Sequence, residues 1–105
     1  MKCIWFTGFP CSGKTTLANM LSRHYRNNKV SSCVLDGDDL RKGVSSDLDY
    51  SLESRGENLK RAAYMASILM NNDIIPIVSM ISPYQVHRDK AAKILNNRVY
   101  FVYLN

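Results

Sequence analysis

At 105 residues the chain has room for one domain around one modest core, and its 46% hydrophobic and 22% charged content sets aside intrinsic disorder. Fourteen Lys and Arg against nine Asp and Glu give a net charge of +5, yet the cations are scattered with no long run. A nucleic-acid arm is therefore not indicated, and a phosphate-rich small molecule suits the balance. Cys3, Cys11 and Cys33 form no CxxC pair, which argues against a disulfide framework or a zinc site and for a reducing compartment.

The N-terminal MKCIWFTGF has one cation and a short apolar run that enters a glycine-rich loop at once, unlike a secretory leader. No stretch approaches the ~20 apolar residues of a membrane span. A cytoplasmic protein is expected. Residues 3–7 (CIWFT) predict a first strand, and a helix should begin near Gly13, with Leu17, Met20, Leu21 and Tyr25 as its apolar stripe and RNNK (26–29) as its end. Residues 32–36 (SCVLD) predict a second strand, followed by a short helix over 39–44.

The strongest helix spans about 52–71, with Leu59, Ala62, Ala63, Ala66, Leu69 and Met70 on one stripe and Lys60, Arg61, Tyr64 and Ser67 opposite. Ser54 and Glu57 have capping-box spacing at its start. Residues 75–81 (IPIVSMI) predict a third strand, with Pro76 marking its beginning because proline cannot donate to a ladder. A weaker helix over 84–96 and a fourth strand over 99–104 (VYFVYL) complete the chain. Continuous apolar strands alternating with helices imply right-handed crossovers and a parallel sheet, in a single domain over 1–105.

GFPCSGKT, residues 8–15, satisfies GxxxxGK[ST] and sits directly after a strand at the head of a helix, as that phosphate-binding loop must. Gly8, Cys11, Ser12, Gly13, Lys14, Thr15 and Thr16 are its expected nucleotide-binding residues. Backbone N–H groups cradle the phosphates of ATP, Lys14 reaches the β- and γ-phosphates, and Thr15 holds Mg²⁺. Cys11 fills a variable position.

Ligands of an open parallel sheet lie beyond the carboxyl ends of its strands, so DGDDLR and SMISPYQVHRD are the segments to read for an acceptor. Asp36 and Asp38, with Gly37 between them, can hold Mg²⁺ or take the proton of an attacking hydroxyl. Alternatively, Asp38 or Asp39 only caps the short helix, and both readings stand at this point. Arg55 falls on the apolar stripe of the long helix, one turn before Leu59, and should project into the cleft with Asn58 beside it. His24, His87, Trp5, Tyr100, Phe101 and Tyr103 read as structural or surface residues.

GFPCSGKTT, LDGDDLRKG, YSLESRGENLKR and IVSMISPYQVHRD occur in the order and spacing of adenylylsulfate kinases, a family that the chain resembles over essentially its whole length. The resemblance implies a P-loop α/β fold of strand order 2-3-1-4. It also implies ATP and Mg²⁺ as cofactors and phosphorylation of the ribose 3′-hydroxyl of adenosine 5′-phosphosulfate, a step of sulfate assimilation. It further implies Lys14, Asp38 and Ser82 as catalytic residues and Thr15 and Asp36 as metal ligands. The acceptor would be bound by Asp38, Arg41, Tyr50 (for the family's usual phenylalanine), Arg55, Asn58, Ile81 and Ser82.

Two positions depart from the family pattern: Ser54 stands for an Asp, and Gln85 for an Arg. Family members continue past the fourth strand into a lid, so a C-terminally truncated domain is expected. A small-molecule nucleotide is the expected partner, with no nucleic acid or membrane, and a homodimer is left open. The alternatives are a kinase for another modified nucleotide, such as cytidine diphosphoramidate, or a nucleotide-binding module without turnover. A P-loop GTPase is disfavoured by the absence of NKxD.

Overall fold

The computed structural model describes residues 1–9 and 12–104. In chain order the elements are β1 (Cys3–Gly8), α1 (Lys14–Asn27), β2 (Ser32–Asp36), α2 (Gly37–Arg41), α3 (Leu52–Met70), β3 (Ile75–Ser79), α4 (Gln85–Ile94) and β4 (Val99–Leu104). The four strands make one sheet of order β2-β3-β1-β4, with every neighbouring pair parallel. Each parallel pairing needs a crossover that returns the chain to the same edge, and the helices provide it. Among the described residues no helix is long and apolar enough to cross a membrane.

Alternate strand residues face opposite layers. Trp5 and Val78 point toward α3 and α4, where they meet Leu59, Ala62, Ala63, Ala66, Ala91 and Leu95; Phe6 and Ile77 point toward α1 and meet Ala18. The three alanines of α3 let that helix lie close to the sheet. Burying Leu59 and Met70 is worth about 1.5–3 kcal/mol each, which outweighs the ~1 kcal/mol cost of Gly56 inside the helix, so packing fixes its position. Trp5 is wholly buried against Phe101, ring centroids 5.7 Å apart, whereas Tyr100 and Tyr103 are exposed, on opposite faces of β4.

Several sequence expectations need correction. In α1 the buried residues are Lys14, Ala18 and Ser22, while Leu17 and Met20 are exposed and Leu21 and Tyr25 half-buried. The phosphate loop sets the helix rotation by placing Lys14 inward, and Ser22 is accommodated by the Ser32 hydroxyl at 3.2 Å. The short helix is Gly37–Arg41 rather than 39–44, because its cap lies earlier than expected.

Ser51, not the Ser54/Glu57 pair, caps α3, its hydroxyl accepting from the Ser54 N–H at 3.2 Å. Strand β3 ends at Ser79, two residues early. Pro76 is its second residue, paired with Cys33 of β2, and pairing with β1 begins only at Ile77. In α4, Ala91 is buried, Leu95 at its C-terminal cap is buried too, and Val86 is exposed.

Candidate active site

The carboxyl ends of β1, β2 and β3 gather at one rim, where a cleft of about 540 Å³ opens. Its first half is the loop between β1 and α1. A Cβ on Gly8 would collide with the Leu104 carbonyl, so only glycine lets the chain turn out of the sheet there. Gly13 caps α1 in the left-handed region (φ 92°) and offers no side-chain acceptor, so the first-turn N–H groups lack a capping side chain and favour an anion.

Lys14 is buried beneath them, its ammonium donating to the Phe9 carbonyl at 2.8 Å. Gly13, Lys14, Thr15 and Thr16 all line the cleft; Gly8 and Ser12 shape the loop behind it. The Ser12 hydroxyl is buried without a partner among the described residues. Cys11 lies outside the described residues.

Asp36, at the end of β2, divides its carboxylate between two elements. Oδ1 accepts from the N–H groups of Asp38 (2.9 Å) and Asp39 (3.2 Å), while Oδ2 accepts from the Thr15 hydroxyl (2.8 Å). The cap of α2 is therefore Asp36, and neither Asp38 nor Asp39 is needed for it. Asp38 is exposed and lines the cleft.

Ser79, which no sequence motif marks, closes this oxygen cluster with its hydroxyl 3.3 Å from that of Thr15. The available signal was a polar residue ending the apolar run of an inner strand at the ligand rim. Gly37 packs closely on Met80: a Cβ there would lie 3.0 Å from the Met80 side chain, which would have to give way.

The second half of the cleft brings Arg41, Tyr50, Arg55, Asn58 and Ile81 together on its wall. The Arg41 guanidinium stacks 4.3 Å from the Tyr50 ring centroid and donates to the Asp49 carbonyl at 2.7 Å. Arg55 is exposed rather than buried on the stripe, and its Nε donates to the Tyr50 carbonyl at 2.9 Å. Asn58 is 2% exposed, and its Oδ1 has no partner among the described residues. A buried acceptor left unpaired on a cleft wall is a place for a ligand donor. The Ser51 hydroxyl and N–H, bonded to Asp49, hold the Asp49 carboxyl down at about 2.

Ser82 does not join this group. It is 1% exposed and absent from the cleft wall; its hydroxyl accepts from Trp5 Nε1 (3.2 Å) and donates to the Met80 carbonyl (3.3 Å). Its N–H donates to the Thr7 hydroxyl at 3.1 Å. These bonds pin the chain after β3 onto β1, which places Ile81 at the rim. Such an inward-facing hydroxyl has a structural task, and neither a catalytic nor a substrate-binding one follows from its position.

The cleft thus presents a polyanion cradle at Lys14, an aromatic and guanidinium face at Arg41, Tyr50 and Arg55, and oxygen donors between them. The family model for adenylylsulphate kinase matches residues 1–105. The adenylyl-sulfate kinase of Thermodesulfovibrio yellowstonii is 42% identical over 87 residues, which are 83% of this chain and 44% of that protein. Adenylyl-sulfate kinase 3 of Arabidopsis thaliana is 40% identical over 103 residues, 97% of this chain and 50% of that one.

The solved structure of the Mycobacterium tuberculosis APS kinase CysC in complex with AMPPNP and APS is similar at TM-score 0.95 and 36% identity, covering 99% of this chain and 62% of that one. A gluconokinase from Sinorhizobium meliloti, at 15% identity and TM-score 0.70, shares the fold alone. The chain spans about half the length of the curated relatives it matches. A family match over every residue, joined to this cleft, leads to one conclusion: the chain belongs to the adenylylsulphate kinase family.

Proposed function

We propose that this chain carries the nucleotide site and much of the acceptor site of a kinase that transfers the γ-phosphoryl group of ATP to the ribose 3′-hydroxyl of adenosine 5′-phosphosulfate. The observation that carries this reading is the division of one cleft into two anion-binding halves, Lys14 with the α1 N-terminus on one side and Arg41 with Arg55 on the other. The M. tuberculosis relative, complexed with an ATP analogue and APS, supports it by likeness.

Lys14 exchanges the Phe9 carbonyl for the β- and γ-phosphates, and the amides of the first turn of α1 bind the phosphate oxygens. Tyr50 stacks on the acceptor base, Arg41 and Arg55 hold its charged groups, and Asn58 Oδ1 accepts from the nucleotide. Asp38, exposed at the mouth, takes the proton as the 3′-oxygen bonds to the γ-phosphorus and the bond from that phosphorus to the bridging oxygen of ADP breaks.

Thr15, Asp36 and Ser79 fit a hard divalent cation, because their oxygens already converge. These three would hold Mg²⁺, and the ion would supply charge neutralisation to the transferring group.

Acceptor-dependent ADP release tests the reading. With Mg²⁺ and ATP, adenosine 5′-phosphosulfate should accelerate ADP formation well above the rate without acceptor. Tight nucleotide binding with no acceptor-dependent ADP would instead mark a binding module. One observation favours a second acceptor: Gln85 is turned onto Asp89 (2.7 Å) and Arg88 (2.9 Å), so this position brings no cation to a sulfate. Cytidine diphosphoramidate belongs in the same assay, where the faster acceptor is the natural class.

A further inference from the structure

Of the acceptor-side groups, Arg41 precedes and Tyr50 belongs to the segment 42–51 that joins α2 to α3. Apolar burial holds little of this segment: Val44 is 55% and Tyr50 67% exposed, and among its residues only Ser45 is fully buried. Polar contacts must therefore fix its course. Some are its own, such as the Ser45 N–H to the Leu40 carbonyl at 2.7 Å. The others come from two arginines of α3. Arg55 Nε holds the Tyr50 carbonyl at one end, and Arg61 holds the other.

Arg61 makes the densest set of side-chain bonds among the described residues. Nη1 donates to the Val44 carbonyl (3.0 Å) and Asp47 Oδ1 (2.7 Å), Nη2 to Asp47 Oδ2 (3.0 Å), and Nε to Glu57 Oε2 (3.3 Å). Arg61 to Asp47 is a two-pronged fork, the geometry in which a surface ion pair does contribute. It is also non-local, spanning 14 residues, whereas the other ion pairs among the described residues are three or four apart on a helix. The hydrogen bond from Arg61 lowers the Asp47 carboxyl below its ordinary value, and Asp47 raises Arg61 in turn.

Leu59, Ala62 and Ala63 press this part of α3 onto the sheet, so Arg61 stands on a rigid base. The same helix presents Arg55 and Asn58 to the cleft. We propose that Arg61, which is not part of the cleft wall, is a positioning residue: by clamping 44–47 to α3 it sets Tyr50 and Arg41 at the right distance from Arg55 and Asn58. The proposal rests on the acceptor assignment made above. Because Arg61 bonds to no described residue of the phosphate loop, its effect is confined to the acceptor half.

The test measures equilibrium binding of MgADP, and then of adenosine 5′-phosphosulfate to the MgADP complex, in the unaltered protein and in Arg61→Ala, Arg61→Lys, Asp47→Asn, the Arg61→Ala/Asp47→Asn pair and Lys60→Ala. Coupled groups in one network predict an acceptor affinity about tenfold weaker in Arg61→Ala and in Asp47→Asn, with the pair little worse than either alone. Arg61→Lys should recover part of the loss, Lys60→Ala should show no loss, and MgADP affinity should stay unchanged throughout. Amide exchange should quicken at Ser46 and Leu48 while Ala62 and Ala66 remain protected.

Acceptor affinity unchanged in Arg61→Ala would overturn the positioning role and leave the function standing. Acceptor and MgADP affinities falling together would also overturn it, as general damage. Failure of the unaltered protein to bind adenosine 5′-phosphosulfate would overturn the functional reading and this inference with it.

Discussion

Asp36 gives one oxygen to the start of α2 and the other to Thr15, so its removal should disturb both. Asn keeps the cap but not the charge, and Ala keeps neither. Asp36→Asn should therefore unfold near the native temperature with much-reduced kcat, and Asp36→Ala should lose about 1 kcal/mol of stability as well, read by thermal unfolding beside turnover. Ser82→Ala should behave oppositely. It leaves Trp5 Nε1 unpaired at a cost of about 1–3 kcal/mol, while kcat changes only a few-fold; loss of nearly all turnover in a folded variant would restore a chemical role for that hydroxyl.

In steady-state kinetics, Lys14→Ala should abolish turnover with every acceptor, whereas Arg55→Ala should raise the KM for the acceptor and spare that for ATP. Equal loss of ATP affinity in both would contradict the division of the cleft. That Lys14, Thr15, Asp38, Arg41 and Arg55 would meet at one cleft could be read from short motifs. The surroundings of Ser82 could not, since they are made by Trp5, 77 positions away, and Arg61 was placed only opposite the apolar stripe because its partner lies 14 positions back in a loop.

At the scale of elements, α3 was read almost residue for residue from its stripe, because a long helix against a sheet repeats its pattern over five turns. The first helix was misread: the phosphate loop, not hydrophobicity, decides its rotation. Gly56 also gave no signal of its use, which is to admit His87 of α4, since a Cβ there would sit 2.9 Å from Nε2. Packed in this way, with Lys90 near, His87 has its pKa lowered from the ordinary 6.5, mainly by burial.

The unfolded chain then binds the proton first, so stability is full above pH 6.5 and falls as pH drops through that value toward the folded one. Urea unfolding on either side of that pH should show the loss, and His87→Asn should flatten it. The turn before α3 behaves differently. The Asp49 carboxyl, ordinarily near 3.8 and held at about 2, supports the turn above 3.8 and fails only as pH falls through about 2, a course that carboxyl chemical shifts would follow.

For the whole molecule, four apolar runs separated by helices sufficed to announce a parallel sheet, and the order 2-3-1-4 was implied by resemblance to a family rather than by spacing. That order puts β1 between β3 and β4 and brings the ends of β2 and β3 beside the phosphate loop, so Asp36, Ser79 and Thr15 meet without any long loop. The fate of the transferred phosphoryl group tests the central claim most directly. Mass spectrometry and ³¹P NMR of the product, after incubation with Mg²⁺, ATP and adenosine 5′-phosphosulfate, should show one new phosphate on the ribose 3′-oxygen and one ADP for each. ADP formed at the same rate without acceptor, or an acceptor recovered unphosphorylated, would contradict it.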